Sequence, residues 1–160
     1  MSEKVGLIKT CAEIAFDRFY RATKGLSESE IDWRPMEEAN SIRWVLTHLS
    51  KQWNVGIPRI LKGVPEYTPK NWPEDYVGDR SYSLKKIMVD LEKGKDTIIS
   101  GLEELSPKEL EAEIPIWGGT RKLQDVVLLY LSEIFHHNGQ IAYLRGAIER
   151  RRQTDEHFLT

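Results

Sequence analysis

The sequence has a single cysteine, Cys11, in 160 residues. One thiol can form no internal disulfide and cannot build a thiolate zinc cluster. It suits a reducing compartment, so a cytoplasmic location is expected. No stretch approaches the ~18 consecutive apolar residues of a membrane span. The opening MSEKVGLIKT carries charges where a signal peptide would hold an apolar run. Charge of one sign is also missing. With 23 basic and 25 acidic residues the formal net charge is -2, too weak a field to hold a polyanion, which counts against a nucleic-acid partner. The phosphate-cradling and nucleophile signatures G-x-x-x-x-G-K, G-x-G-x-x-G and G-x-S-x-G are absent, as are internal repeats and low-complexity tracts.

What is present describes a folded domain. Hydrophobic residues make up 40% and charged residues 30%, and the length is that of one domain with a sizeable core. One domain is expected over residues 1–151, followed by a polar tail, 152–160, that frays. Five tryptophans and six tyrosines supply large pieces for a core or a pocket wall.

The apolar spacing predicts four long helices. The first runs from about Glu3 to Thr23 with Val5, Ile8, Ala12, Ala15, Phe19 and Ala22 on one stripe. Cys11 lies near that stripe and reads as an inert, packed thiol. Ser27 and Glu30 form a capping-box pair that starts a single turn, stopped by Pro35. A second helix starts near Asn40 or Ser41 and carries Ile42, Val45, Leu49, Gln52, Gly56 and Ile60, with Pro58 distorting its last turns. The connection from Gly63 to Tyr82 holds Pro65, Pro69 and Pro73 with Tyr67, Trp72 and Tyr76; it reads as a strap whose aromatics cover the helices. The third helix, about Ser83 to Leu105, shows Leu84, Ile87, Met88, Leu91, Ile98 and Leu102, with Gly94 and Gly101 weakening it. Ser106 to Glu109 is a second capping box. EAEIPIWGGT then allows a short extended piece and a glycine turn at Gly118-Gly119, with Thr120 as a cap. The fourth helix, about Arg121 to Arg151, buries Leu123, Val126, Val127, Tyr130, Ile134, Ile141, Leu144 and Ile148. Four striped helices must cover one another, so the expected fold is all-α, a four-helix bundle with a long crossover between helices two and three.

Polar groups interrupt the stripe of the fourth helix. Glu133 and His137 stand one turn apart, and Gln140 lies three residues further along the same face. A carboxylate among apolar residues must be paired or bound to a metal. His48 lies midway along the second helix, one turn from Trp44 and Gln52. If the second and fourth helices are neighbours, His48, Glu133 and His137 converge as two imidazoles and a carboxylate, a common three-ligand set for a divalent first-row metal. Trp44 and Tyr130 would line the pocket, and His136 and Gln140 would flank or orient the ligands. The alternative is a buried polar pair in a non-catalytic, dimeric helical stress or interaction protein, with Glu133 bound to His137 itself, or to Arg145 or Lys122. A ferritin-like di-metal site needs paired Glu-x-x-His motifs. Only Glu133 with His136 fits that spacing.

These stretches carry a resemblance. LSESEIDWRPMEEANSIRWVLTHLSKQW and LYLSEIFHHNGQIAYLRG resemble the two motifs of the DinB-like superfamily, the damage-inducible and YfiT-type metal-binding four-helix bundles. The resemblance implies an up-down-down-up bundle, with His48 as first ligand and His137 as last. The middle position, a histidine in the family, is Glu133 here, which keeps a ligand but changes its charge and hardness. It also implies a bound Zn, Ni or Fe ion, a small-molecule substrate, a low-molecular-weight thiol cosubstrate in thiol-dependent transferases, and a homodimer. A thiol-dependent transferase or hydrolase is the expected activity. No residue is assigned as catalytic, and the substrate stays open.

Overall fold

The computed structural model describes residues 3–159. The chain is mostly helical. Helix α1 (Glu3–Thr23) leads through the short α2 (Glu28–Ile31), started by the Ser27–Glu30 capping box, to α3 (Ile42–Lys51). Ser41 caps α3, its hydroxyl accepting from the Trp44 amide at 3.2 Å. A widened π turn (Gln52–Gly56) joins α3 to α4 (Ile57–Lys62), which closes on Gly63 in the left-handed region at φ 62°. Helices α5 (Leu84–Glu104) and α6 (Pro107–Glu111) follow. Ser106 and Glu109 box the start of α6. Strands β1 (Glu113–Ile116) and β2 (Gly119–Lys122) pair antiparallel, and α7 (Leu123–Arg152) ends the regular structure.

Helix α1 packs on α5 and α7, and α3 packs on the same two. The core is therefore built from the stripes that periodicity identified, with two shifts. On α7 the buried position is Leu131, while Tyr130 is half-buried. In the second long helix the core face steps Leu49, Trp53, Ile57, and the expected stripe positions Gln52, Gly56 and Ile60 sit on its flank, only partly buried. The π turn causes this shift. Pro58 has no N–H, and its ring crowds the carbonyl one turn earlier, so the helix widens just ahead of it. The Ile57 amide accordingly donates to the Gln52 carbonyl, five residues back.

Gly94 proves to be a packing residue rather than a weak point. It is buried on α5, and a Cβ there would lie 2.7 Å from the Trp53 Cβ. The bare backbone lets Trp53 sink fully into the core, edge-on to Phe16 and Phe19 at 4.8 and 4.9 Å. Cys11 is a free thiol, partly buried against this core.

The strap between α4 and α5 is pinned down. Tyr76 is buried, and its hydroxyl donates to Asp90 Oδ2 at 2.7 Å. Trp72 and Tyr82 pack against its ring, 4.9 and 4.8 Å between centroids. The Gly78 amide donates to Thr47 Oγ1 at 2.8 Å, which seats the strap over α3.

Two expectations are corrected at the carboxyl side. Thr120 is not a cap; it lies within β2, pairing with Pro115, and α7 begins three residues later without a side-chain cap. The hairpin turn is Trp117-Gly118, not Gly118-Gly119, with Ile116 opposite Gly119. Both turn residues have positive φ, 50° and 74°, as a two-residue primed turn demands. The tail also folds back. Phe158 meets Trp33 edge-on at 5.7 Å, and Arg152 holds the buried Glu30 at 2.6 Å. No helix among the described residues is long and apolar enough to cross a membrane.

Candidate metal centre

Because α3 and α7 are neighbours, the side chains singled out in the sequence meet. The His48 and His137 rings approach edge-on, 4.8 Å between centroids. One turn earlier on α7, Glu133 brings a carboxylate oxygen to 3.6 Å from His137 Nε2. The other cations weighed for Glu133 make their contacts elsewhere. Arg145 donates to the Ala22 carbonyl at 2.7 Å and Lys122 binds Glu111.

Each ring is held by its surroundings. His48 lies flat on the Trp44 indole, 4.9 Å away and 6° from parallel. His137 is buried, and its Nδ1 faces Gln140 Oε1 at 2.8 Å. A carboxamide oxygen can only accept, so Nδ1 carries the proton. The Gln140 amide nitrogen in turn donates to His136 Nε2 at 3.2 Å. With Nδ1 engaged by Gln140, Nε2 is the ring nitrogen that faces Glu133 and is left to ligate a metal. The orienting amide expected at Gln140 is in place, and His136 is an exposed flank that steadies it.

The electrostatics favour neutral imidazole at His48. Burial pushes its pKa below the ordinary value, and the His137 ring and Lys51 act in the same direction, with Glu133 opposing them. Metal binding requires the neutral ring. Tyr130, one turn before Glu133, is raised above the ordinary phenol value by burial, with Arg59 pulling it down and Glu133 pushing it up.

Among the described residues, no group of three or more His, Cys, Asp or Glu side chains already stands as a metal cage. His137 meets each of the other two donors, and the Glu133 side chain is 46% exposed. The residues nonetheless fit a divalent ion in kind: two imidazoles and one carboxylate, with the inner ring oriented by Gln140.

Sequence reasoning missed the space around this cluster. A cavity of about 250 Å³ opens at His48, walled by Lys51, Gln52, Val55, Gly56 and the strap residue Val77. It exists because the π turn carries Gln52 and Gly56 off the core face. Gly56 and Pro58 close together inside a helix were the available signal. The sequence profile of the DinB superfamily matches residues 12–141, a span that contains His48, Glu133, His137 and Gln140. No curated protein matches the chain.

Proposed function

The chain belongs to the DinB superfamily, and from that premise we propose that it is a divalent-metal-binding protein whose ion is held by His48, Glu133 and His137 in an up-down-down-up four-helix bundle. The observation that carries this reading is the His48–His137 approach at 4.8 Å, with the Nε2 of His137 turned to the Glu133 carboxylate by Gln140. A purely structural Glu–His pair has no use for a second imidazole, kept neutral by burial, at its edge.

The reaction class proposed is transfer to or from a low-molecular-weight thiol, with hydrolysis as the second choice. A Zn, Ni or Fe ion at this site supplies Lewis acidity, polarising a substrate or acidifying a thiol or water brought to it. The protein's own groups supply the rest. Trp44 and Gln140 hold the two rings against rotation. Glu133 offsets part of the ion's charge and can accept a proton. The His48 cavity admits a small molecule, and Val77 of the strap limits its width. A homodimer, as the family resemblance implies, in a reducing cytoplasm that suits the single cysteine completes the reading.

Element-resolved analysis of untagged protein tests it. About one divalent ion per chain is expected, lost in both His48→Ala and Glu133→Ala. Metal-free protein that gains no thermal stability with any divalent ion would refute the reading. Metal retained in Glu133→Ala would move the third ligand elsewhere.

A further inference from the structure

The π turn separates two compartments. On one side is the His48 cavity. On the other lies a recess of about 280 Å³ between the second long helix and the β1–β2 hairpin, with Ile60, Pro65, Ile114, Ile116, Trp117 and Tyr130 in its walls. Gly56 lines both. The recess is predominantly apolar, and Arg59 borders it. The Arg59 guanidinium is already committed to the strap, donating to the Tyr67 carbonyl at 2.7 Å and to Thr68 Oγ1 at 3.1 Å.

Trp117 is the unexpected residue. The first position of a primed two-residue turn favours Asn, Asp or Gly, because the backbone there is left-handed. Tryptophan occupies it at φ 50° while 58% exposed, so burial does not offset the strain. Its ring lies over Tyr130, 6.2 Å away and 28° from parallel, and Arg121 stands 5.9 Å from its centre. A strained turn residue that holds a half-exposed aromatic at the rim of an apolar recess points to ligand contact.

We infer that this recess binds the single-ring aromatic body of a small amphiphilic molecule, whose polar end passes Gly56 into the His48 cavity. Only the destination of that polar end rests on the metal-centre reading. The size suits one ring: an apolar cavity of about 150 Å³ takes benzene, and about 280 Å³ holds such a ring with its substituent. Tyr130 stands where the compartments adjoin: it lines the recess, and a Cβ added at Gly56 would lie 3.4 Å from its ring edge.

The test uses EDTA-stripped full-length protein, so it does not depend on any ion. 4-Methylphenol is titrated and followed by ¹⁵N–¹H correlation spectra. Saturable shifts are expected at the Trp117 indole N–H and the Gly56 amide. Trp117→Ala should weaken binding roughly tenfold, the equivalent of one aromatic contact, without lowering the melting temperature. Ile114→Phe, which fills the recess, should also weaken binding, and it decides the matter if Trp117→Ala fails to fold. Absence of saturation, shifts centred on another face, or unchanged affinity in a folded Trp117→Ala or Ile114→Phe variant would overturn the inference. A chain that takes up no metal but binds 4-methylphenol in this way would sink the metal reading and leave the recess standing.

Discussion

Two glycine-to-alanine substitutions in helices should have opposite signs. Gly94→Ala places a methyl 2.7 Å from the Trp53 Cβ, 2.9 Å from Asn54 Nδ2 and 3.1 Å from the Trp53 carbonyl carbon. None of these can retreat cheaply. Trp53 is locked between Phe16 and Phe19. The Asn54 amide bridges α3 and α5 by donating to the Ser50 and Asp90 carbonyls at 2.9 and 2.8 Å. Overpacking of this kind costs about 1–3 kcal/mol, and loosening the Asn54 bridge costs about 1 kcal/mol more per weakened bond. Helix propensity returns about 1 kcal/mol, so a net loss of roughly 1–3 kcal/mol is expected. Gly139 on α7 is exposed, and a methyl added there would meet no atom within 4 Å outside its own stretch of helix. Gly139→Ala should therefore stabilise by about 0.5–1 kcal/mol. Urea denaturation followed by circular dichroism reads both as shifts of the midpoint at constant slope. Gly94→Ala at or above wild-type stability would refute the close-packing argument, and with it the claim that α5 backs the π turn at Trp53.

Gln140→Leu removes the acceptor that fixes the His137 tautomer; divalent-metal affinity should fall roughly 10- to 100-fold, measured by competition with a chromophoric chelator, while far-ultraviolet dichroism stays unchanged. Asp32 accepts from the Arg43 Nε and Nη2 at 2.6 and 3.0 Å, and that guanidinium holds its carboxyl below the usual carboxylate range. The folded value lies below the unfolded one, so the pair contributes its full stability above an unfolded pKa of about 3.9 and loses it as pH falls through the folded value. Asp32→Asn should thus cost roughly 1.5–3 kcal/mol at pH 7, with the deficit shrinking as pH falls below about 3.9 in parallel urea titrations; an undiminished deficit at low pH would contradict the assignment.

The helices and most of the core were legible because apolar periodicity reports which side of a helix faces inward. Val5 to Phe19, Ile42 to Leu49 and, apart from Tyr130, Val126 to Ile148 behaved accordingly. The pairing of Glu133 with His137 followed from their one-turn spacing, and the approach of His48 from the expectation that α3 and α7 are neighbours. What escaped prediction depended on backbone departures that composition does not encode. The π turn displaced Gln52, Gly56 and Ile60 from the core and so created the cavities. The EIPIWGGTRK stretch does not alternate cleanly, since β2 is exposed along its whole length, so only its tight turn marks the hairpin. The polar tail held one aromatic, Phe158, whose partner Trp33 lies more than a hundred residues earlier, beyond the reach of any local pattern.

A π turn is an α-helix with one residue too many. Its extra residue is absorbed within one widened turn, so the stretch beyond keeps a regular facing. Excising a single residue between Gln52 and Gly56 would anneal the second helix and leave Arg59 and Ile60 facing as they do, but it would flatten the bulge at which Gly56 borders both compartments. Annealing with every residue retained would instead turn all that follows by about 100° and carry Arg59 and Ile60 out of the recess together. A change of length at this turn therefore reshapes the partition between the two chambers while sparing the rest of the helix.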